Sequence, residues 1–137
     1  MRIIVTVDDA YGVAFNKRRQ SRDRILCADV LSSLGASDTL VVSPYSLPLF
    51  AEGGTVLRVS EDPVSDLGVH EVAFVERTSL SHLCGKITEL TVYHWNRRYP
   101  QDVSLGFIPT DAGFSLCRTT EFQGSSHDKI TKEIFRK

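Results

Sequence analysis

The sequence predicts a three-layer α/β domain with a mostly parallel central sheet and an antiparallel hairpin at the C-terminus. Three observations carry this. Ile3 to Val7 is a β-branched apolar run interrupted only by Thr6, the pattern of a strand covered on both faces. Strand-type and helix-type segments then alternate through the first two thirds of the chain. Two β runs, Phe114 to Phe122 and Lys129 to Phe135, close it as a long hairpin joined by Gln-Gly-Ser-Ser-His-Asp.

Ile3 to Val7 should be central, since only an interior strand hides both faces. Asp8-Asp9, a turn at Gly12 and a basic loop follow, so this stretch reads as strand, irregular loop and helix start. Leu26, Cys27, Val30, Leu31 and Leu34 then recur at helical spacing, with Ser21 placed to cap the helix and Gly35 to end it. Thr39 to Val42 is the second β run. It stops at Ser43-Pro44, because proline lacks the N–H that a ladder needs. A helical turn interrupted by proline covers Tyr45 to Phe50, and Gly53-Gly54 breaks the chain before a third strand, Thr55 to Val59. Glu71 to Val75 is a fourth strand, followed by a short helix over Ser79 to Cys84 that stops at Gly85. Thr88 to Trp95 alternates, with Leu90, Val92 and His94 on one face and Thr91, Tyr93 and Trp95 on the other. Both sets are bulky, so both faces should be covered.

Composition bounds the rest. With 137 residues, 42% hydrophobic and 24% charged, the chain suits one domain over residues 1–137. A formal net charge of -1 supplies no long-range field for nucleic acid or a membrane surface, so only local clusters can argue for either. Cys27, Cys84 and Cys117 are odd in number and far apart, as in a reduced intracellular protein. The N-terminal run is too short for a signal peptide or span, and a cytoplasmic protein without membrane contact is expected.

Several motifs fall in a familiar order. A strand, Asp8 and Gly12 come first, then a loop into a helix start carrying Asp23. VLRVSEDP, Val56 to Pro63, follows. Later come a strand and turn, LTVYHWNRRYPQDVSL, with Tyr93 and Asp102, and the closing hairpin EFQGSSHDKITKEIFRK. In this order and spacing the chain resembles dihydrofolate reductase in shortened form. The resemblance implies that fold, a substrate-binding acid at Asp23, Tyr93 at the position of the family's strand threonine, and NADPH as cofactor. The cofactor motifs, however, are degenerate. The Gly-Arg-x-Thr turn is replaced by Ser43-Pro44-Tyr45-Ser46 and the Gly-Gly pair by Glu76-Arg77, where a glutamate adds bulk and negative charge near phosphate. The Leu-Pro-Trp segment before the acid is replaced by Asn16-Lys17-Arg18. The chain also resembles short uncharacterised bacterial proteins labelled ribonuclease Z. A zinc pair needs clustered histidines, whereas His70, His82, His94 and His127 stand far apart, so no metal site is expected.

Asp23 is the candidate catalytic residue: burial would raise its carboxyl pKa toward the range for proton donation. Arg22 and Arg24 favour its ionised form, and an acid in a helix's first turn is also what the dipole favours. Asp8 ends the first strand, where ligand groups or a simple turn are both at home. Arg18, Arg19 and Arg22 in the loop, with Arg97 after the late strand, would form a basic rim for a phosphate or an RNA strand if the two segments meet. Tyr11, Trp95 and Tyr99 offer stacking faces, and the alternative is a solvated loop. His94 and His127 are the pair to consider for metal-independent RNA cleavage, with Ser125 and Ser126 nearby; otherwise His94 is a bonded strand residue and His127 a surface residue of the hairpin.

Three functions remain open. The first is a divergent reductase-like protein holding a pterin-like or nucleotide-like small molecule near Asp23, Tyr93 and Asp8. The second is a non-catalytic binding protein on the same scaffold, and the third is a metal-independent RNA-processing enzyme. The basic loop favours an anionic ligand.

Overall fold

The computed structural model describes residues 1–51 and 57–137. In chain order the strands are β1 (Arg2–Val7), β2 (Gly12–Phe15), β3 (Arg18–Arg19), β4 (Thr39–Val42), β5 (Leu57–Val59), β6 (Glu71–Phe74), β7 (Glu89–His94), β8 (Val103–Ser104), β9 (Ser115–Phe122) and β10 (Ile130–Arg136). One α-helix, α1 (Arg24–Ser32), lies between β3 and β4. The central sheet runs β5-β4-β6-β1-β7-β10-β9, so β1 is its middle strand. Pairings among β5, β4, β6, β1 and β7 are parallel, and β10 runs antiparallel to both β7 and β9. The mostly parallel sheet with a C-terminal hairpin is therefore present, and β4 spans the expected residues. Of the third strand, residues 57–59 are observed; 55 and 56, with the Gly53-Gly54 break, lie outside the described residues.

Alternation along the strands sorts the core into two layers. Ile4, Val42, Val72, Phe74, Tyr93 and Trp95 face Leu26, Cys27 and Val30 of α1. Ile3, Val5, Ala73, Leu90 and Val92 face the opposite way, against Val13 and Ala14 of β2, Leu80, Leu83 and Leu105. The second outer layer is thus not helical. It is built from short 3-10 turns, including Ser81–Lys86, and from a small sheet of order β3-β2-β8. The stretch expected to be an irregular loop thus forms strands of this small sheet, and the helix expected over Ser79 to Cys84 is a 3-10 turn over Ser81–Lys86. Asn16 and Lys17 at the β2–β3 turn have φ of 53° and 62°, the left-handed pair that a two-residue hairpin requires.

The helix also starts differently. Ser21 is not its cap; Asp23 is, with extended backbone and its Oδ1 accepting from Ile25 N and Leu26 N. Ser33, not Gly35, closes the helix. Both Ser and Asp satisfy the capping preference, and the observed first turn puts Asp23 in reach of the free N–H groups.

Candidate functional site

An opening of about 650 Å³ lies at the carboxyl ends of β4, β5 and β6. Ser43 follows β4, Glu61 to Val64 follow β5, and Val75 to Thr78 follow β6; Lys17 from the β2–β3 turn and Asp102 complete the walls. Parallel α/β sheets characteristically place ligands in this crevice, because the chain leaves it open where connections run to opposite sides. Its charges are mixed. Glu61 and Asp62 form one exposed wall, and Lys17 and Arg77 stand exposed on the other side.

Glu76 organises the base of the cleft. Arg19 donates to it through Nε (2.9 Å) and Nη2 (3.0 Å), and Ser46 Oγ donates at 2.7 Å. The Glu76 side chain is only 4% exposed. Tyr45 is held between two guanidinium groups, Arg19 at 4.2 Å and Arg77 at 3.7 Å from the ring centroid. Arg77 has φ of 69°, a left-handed conformation usually left to glycine. In this conformation the Arg77 guanidinium stacks on the Tyr45 ring. This arrangement was not read from the sequence, where Glu76 entered only as a replaced glycine.

Asp23 lies elsewhere. A remnant recess of about 10 Å³ touches it, lined by Ser21, Leu26, Cys27, Phe74 and Trp95 among others. The carboxylate is covered by the β9–β10 turn: Ser125 N (2.9 Å) and Ser126 N (2.7 Å) donate to it, as does the ring of His127 at 3.1 Å. Burial alone would push its pKa up, yet the N–H groups of Ser125, Ser126 and Leu26 and the His127 ring outweigh that and hold the carboxyl well below the usual range. A group held ionised in this way is the opposite of the raised general acid expected. His127 is correspondingly no surface residue. It is 4% exposed, stacks on Trp95 at 4.6 Å, and meets Ser21 Oγ (3.1 Å) and Tyr99 OH (3.0 Å) through Nε2. Burial likewise raises the Cys27 thiol to about 11, which leaves it inert.

The turn depends on Gly124. A Cβ there would lie 2.3 Å from Asp23 Oδ2 and 2.8 Å from Ile130 Cδ1. Gly124→Ala is expected to destabilise the fold by about 2 kcal/mol, since neither neighbour can retreat without losing its packing. A urea unfolding midpoint equal to wild type would contradict the closeness of this contact.

The other predicted residues are dispersed. Asp8 is buried and organises its own loop, accepting from Ala10 N and Gly12 N through Oδ1 and from Tyr99 N through Oδ2. Tyr93 is fully buried and donates to Asp29 Oδ2 at 2.6 Å, where Lys132 Nζ also binds, so it ties α1 to the sheet. Arg18, Arg22 and Arg97 are exposed, whereas Arg19 is spent on Glu76. The basic loop and the segment after β7 do meet, through Gln20 Nε2 to Pro100 O and Asn16 N to Asp102 Oδ2. Trp95, 3% exposed, offers no stacking face there. His94 belongs to the face of Leu90 and Val92 and bonds Glu133, while His127 stacks on Trp95 across the sheet, so the two histidines do not share a site. Among the described residues no group of three or more His, Cys, Asp or Glu is arranged to hold a metal, and no helix is long and apolar enough to cross a membrane.

No family model and no curated protein matches the sequence. Among solved structures, the dihydrofolate reductase from Enterococcus faecalis complexed with NADP(H) and RAB-propyl is similar, with a TM-score of 0.66 over 98% of this chain and 94% of that one. Sequence identity is 11%, so the likeness is one of fold. Nothing in the comparisons supports the ribonuclease Z resemblance. The seven-stranded sheet, the covering helix α1 and the C-terminal hairpin together have the dihydrofolate reductase fold.

Proposed function

We propose that this chain is a nucleotide-binding protein on the dihydrofolate reductase scaffold, without the reductase's pterin chemistry. The observation that carries the reading is the contrast in volume: about 650 Å³ is open at the ends of β4, β5 and β6, against about 10 Å³ beside Asp23. Hydride transfer needs a second pocket that holds the reacting substrate against the cofactor, and a recess of one water's size does not hold a pterin. Asp23, Tyr93 and Asp8 therefore act as structural residues in this reading. The ligand-binding part passes to Lys17 and Arg77 for phosphate and to Glu61 and Asp62 for sugar hydroxyls, which carboxylates bind well. NADP(H), bound by the similar Enterococcus faecalis enzyme, fits less well than a mononucleotide. The acidic wall opposes a second set of phosphates, while the charge of Glu76 is already matched by Arg19. Arg18, Arg22 and Arg97 are exposed and line no part of this cleft. Three free cysteines fit a reducing, cytoplasmic setting.

Thermal unfolding with millimolar AMP, ADP, NADPH and folate tests this, because a ligand of the native state must raise the melting temperature. AMP or ADP should raise it by several degrees, folate should not, and Arg77→Glu should abolish the nucleotide shift. No shift with any nucleotide would leave the scaffold without a small ligand, favouring the interaction-protein reading. Chelator-resistant RNA cleavage lost in His127→Ala would favour the RNA-processing one.

A further inference from the structure

The geometry points to an ester-hydrolysing site on the opposite flank of Glu76, with Ser21 as nucleophile, His127 as its base and Asp23 as the residue that orients the base. Ionised Asp23 has no proton to give, so in the 3.1 Å contact its Oδ2 accepts and His127 Nδ1 donates. With Nδ1 engaged on Asp23, Nε2 is the nitrogen left to take a proton. Ser21 Oγ stands 3.1 Å and Tyr99 OH 3.0 Å from that nitrogen, whose one lone pair accepts one hydroxyl at a time; the relay is set when Ser21 is the donor. Serine, imidazole and carboxylate in this order form the relay by which a weak hydroxyl becomes a nucleophile on unrelated folds.

The parts are held as such chemistry needs. Asp23 cannot turn, because Ile25 N, Leu26 N, Ser125 N and Ser126 N all donate to it. Stacking on Trp95 fixes the plane of the imidazole, which is 4% exposed. Ser21 is half-buried, in the segment between β3 and α1, while its base is buried. The serines beside His127 in sequence are not the nucleophile: Ser125 Oγ accepts from Arg24 N, and Ser126 meets the site through its backbone.

The recess beside Ser21 sets the substrate class. At about 10 Å³, between Asp23 and Glu76 on one side and Leu26, Phe74 and Trp95 on the other, it has room for about one water, so an acyl group larger than acetyl has no place in it. The site should take acetyl esters. Ser21 Oγ attacks the carbonyl carbon as its proton passes to His127 Nε2; the carbon–oxygen bond to the alcohol breaks, and His127 returns the proton to that oxygen. Water then attacks acetyl-Ser21, its proton passing through His127 to Ser21 Oγ, and acetic acid leaves.

Treating the full-length protein with an alkyl fluorophosphonate should give one adduct, located on Ser21 by peptide mass spectrometry. Hydrolysis of p-nitrophenyl acetate should exceed that of p-nitrophenyl octanoate by at least about 10-fold. Ser21→Ala and His127→Gln should each slow it at least about 100-fold. Asp23→Asn, assayed where circular dichroism shows it folded, should lower kcat with KM unchanged, which loss of folded protein alone would also do; the active fraction is therefore counted by fluorophosphonate titration. Should that variant not fold, the adduct map on the wild-type protein decides alone. An adduct on another residue, no adduct on folded protein, or undiminished hydrolysis by Ser21→Ala overturns the assignment.

Discussion

Asp23→Ala is expected to lower the unfolding free energy by about 3 kcal/mol at neutral pH. The helix loses its N-cap, worth about 1 kcal/mol, and the N–H groups of Ser125 and Ser126 lose their acceptor at about 1 kcal/mol each. The side chain is 0% exposed, so no water takes the carboxylate's place without a rearrangement of the turn. The pH dependence follows from the depressed pKa of Asp23. A carboxyl whose folded pKa lies below its unfolded value of about 3.9 stabilises fully above that value and ceases to do so as pH falls through the folded pKa. Wild type should therefore lose stability below about pH 4 more steeply than Asp23→Asn, which cannot titrate there. Urea unfolding of both proteins at pH 7, 5 and 3 measures this, and parallel acid limbs would show that another carboxylate governs the loss.

The fold was legible where a signal is local. β1, β4 and β7 announce themselves through β-branched runs and alternation, because a strand covered on both faces must be apolar throughout, and the closing hairpin through two β runs around a Gly-Ser turn. The small sheet was missed although Asn16 and Lys17 sit at a hairpin turn, since two-residue strands such as β3 carry no periodicity to detect. The site was less legible still. Asp23 was singled out, but what decides its chemistry is the turn of residues 124–127, about a hundred positions away, and capping rules say nothing of partners at that separation. His127 looked like a loop residue because Gly-Ser-Ser-His-Asp has the composition of exposed turns. Its burial follows from the turn folding back over the helix N-terminus, which composition does not encode. Ser21 was noticed as a cap, on a capping rule that Asp23 satisfies equally well.

Glu76→Ala should have two effects of opposite sense. It leaves Arg19, whose side chain is 19% exposed, without its bidentate partner, and fully buried Ser46 without an acceptor for its hydroxyl. Breaking one side of a buried pair is strongly destabilising, and because Arg19 keeps some solvent, Tyr45 O and the Tyr45 ring, the loss should fall near the low end, about 3 kcal/mol. Replacing both partners, as Arg19→Met with Glu76→Leu, should recover much of it, since two apolar groups leave no charge unpaired. The same Glu76→Ala substitution removes a negative charge from the cleft and frees a guanidinium beside it. A less stable protein should therefore bind AMP or ADP more tightly than wild type, as read from guanidinium chloride unfolding and from calorimetric titration below the melting temperature. Glutamate at this position would then serve the fold by holding Arg19 and Ser46 together, at the expense of affinity for anions in the cleft. Equal affinity in the two proteins would mean that Arg19 and Glu76 lie outside the reach of the nucleotide's phosphate, and Lys17 and Arg77 would carry its recognition alone.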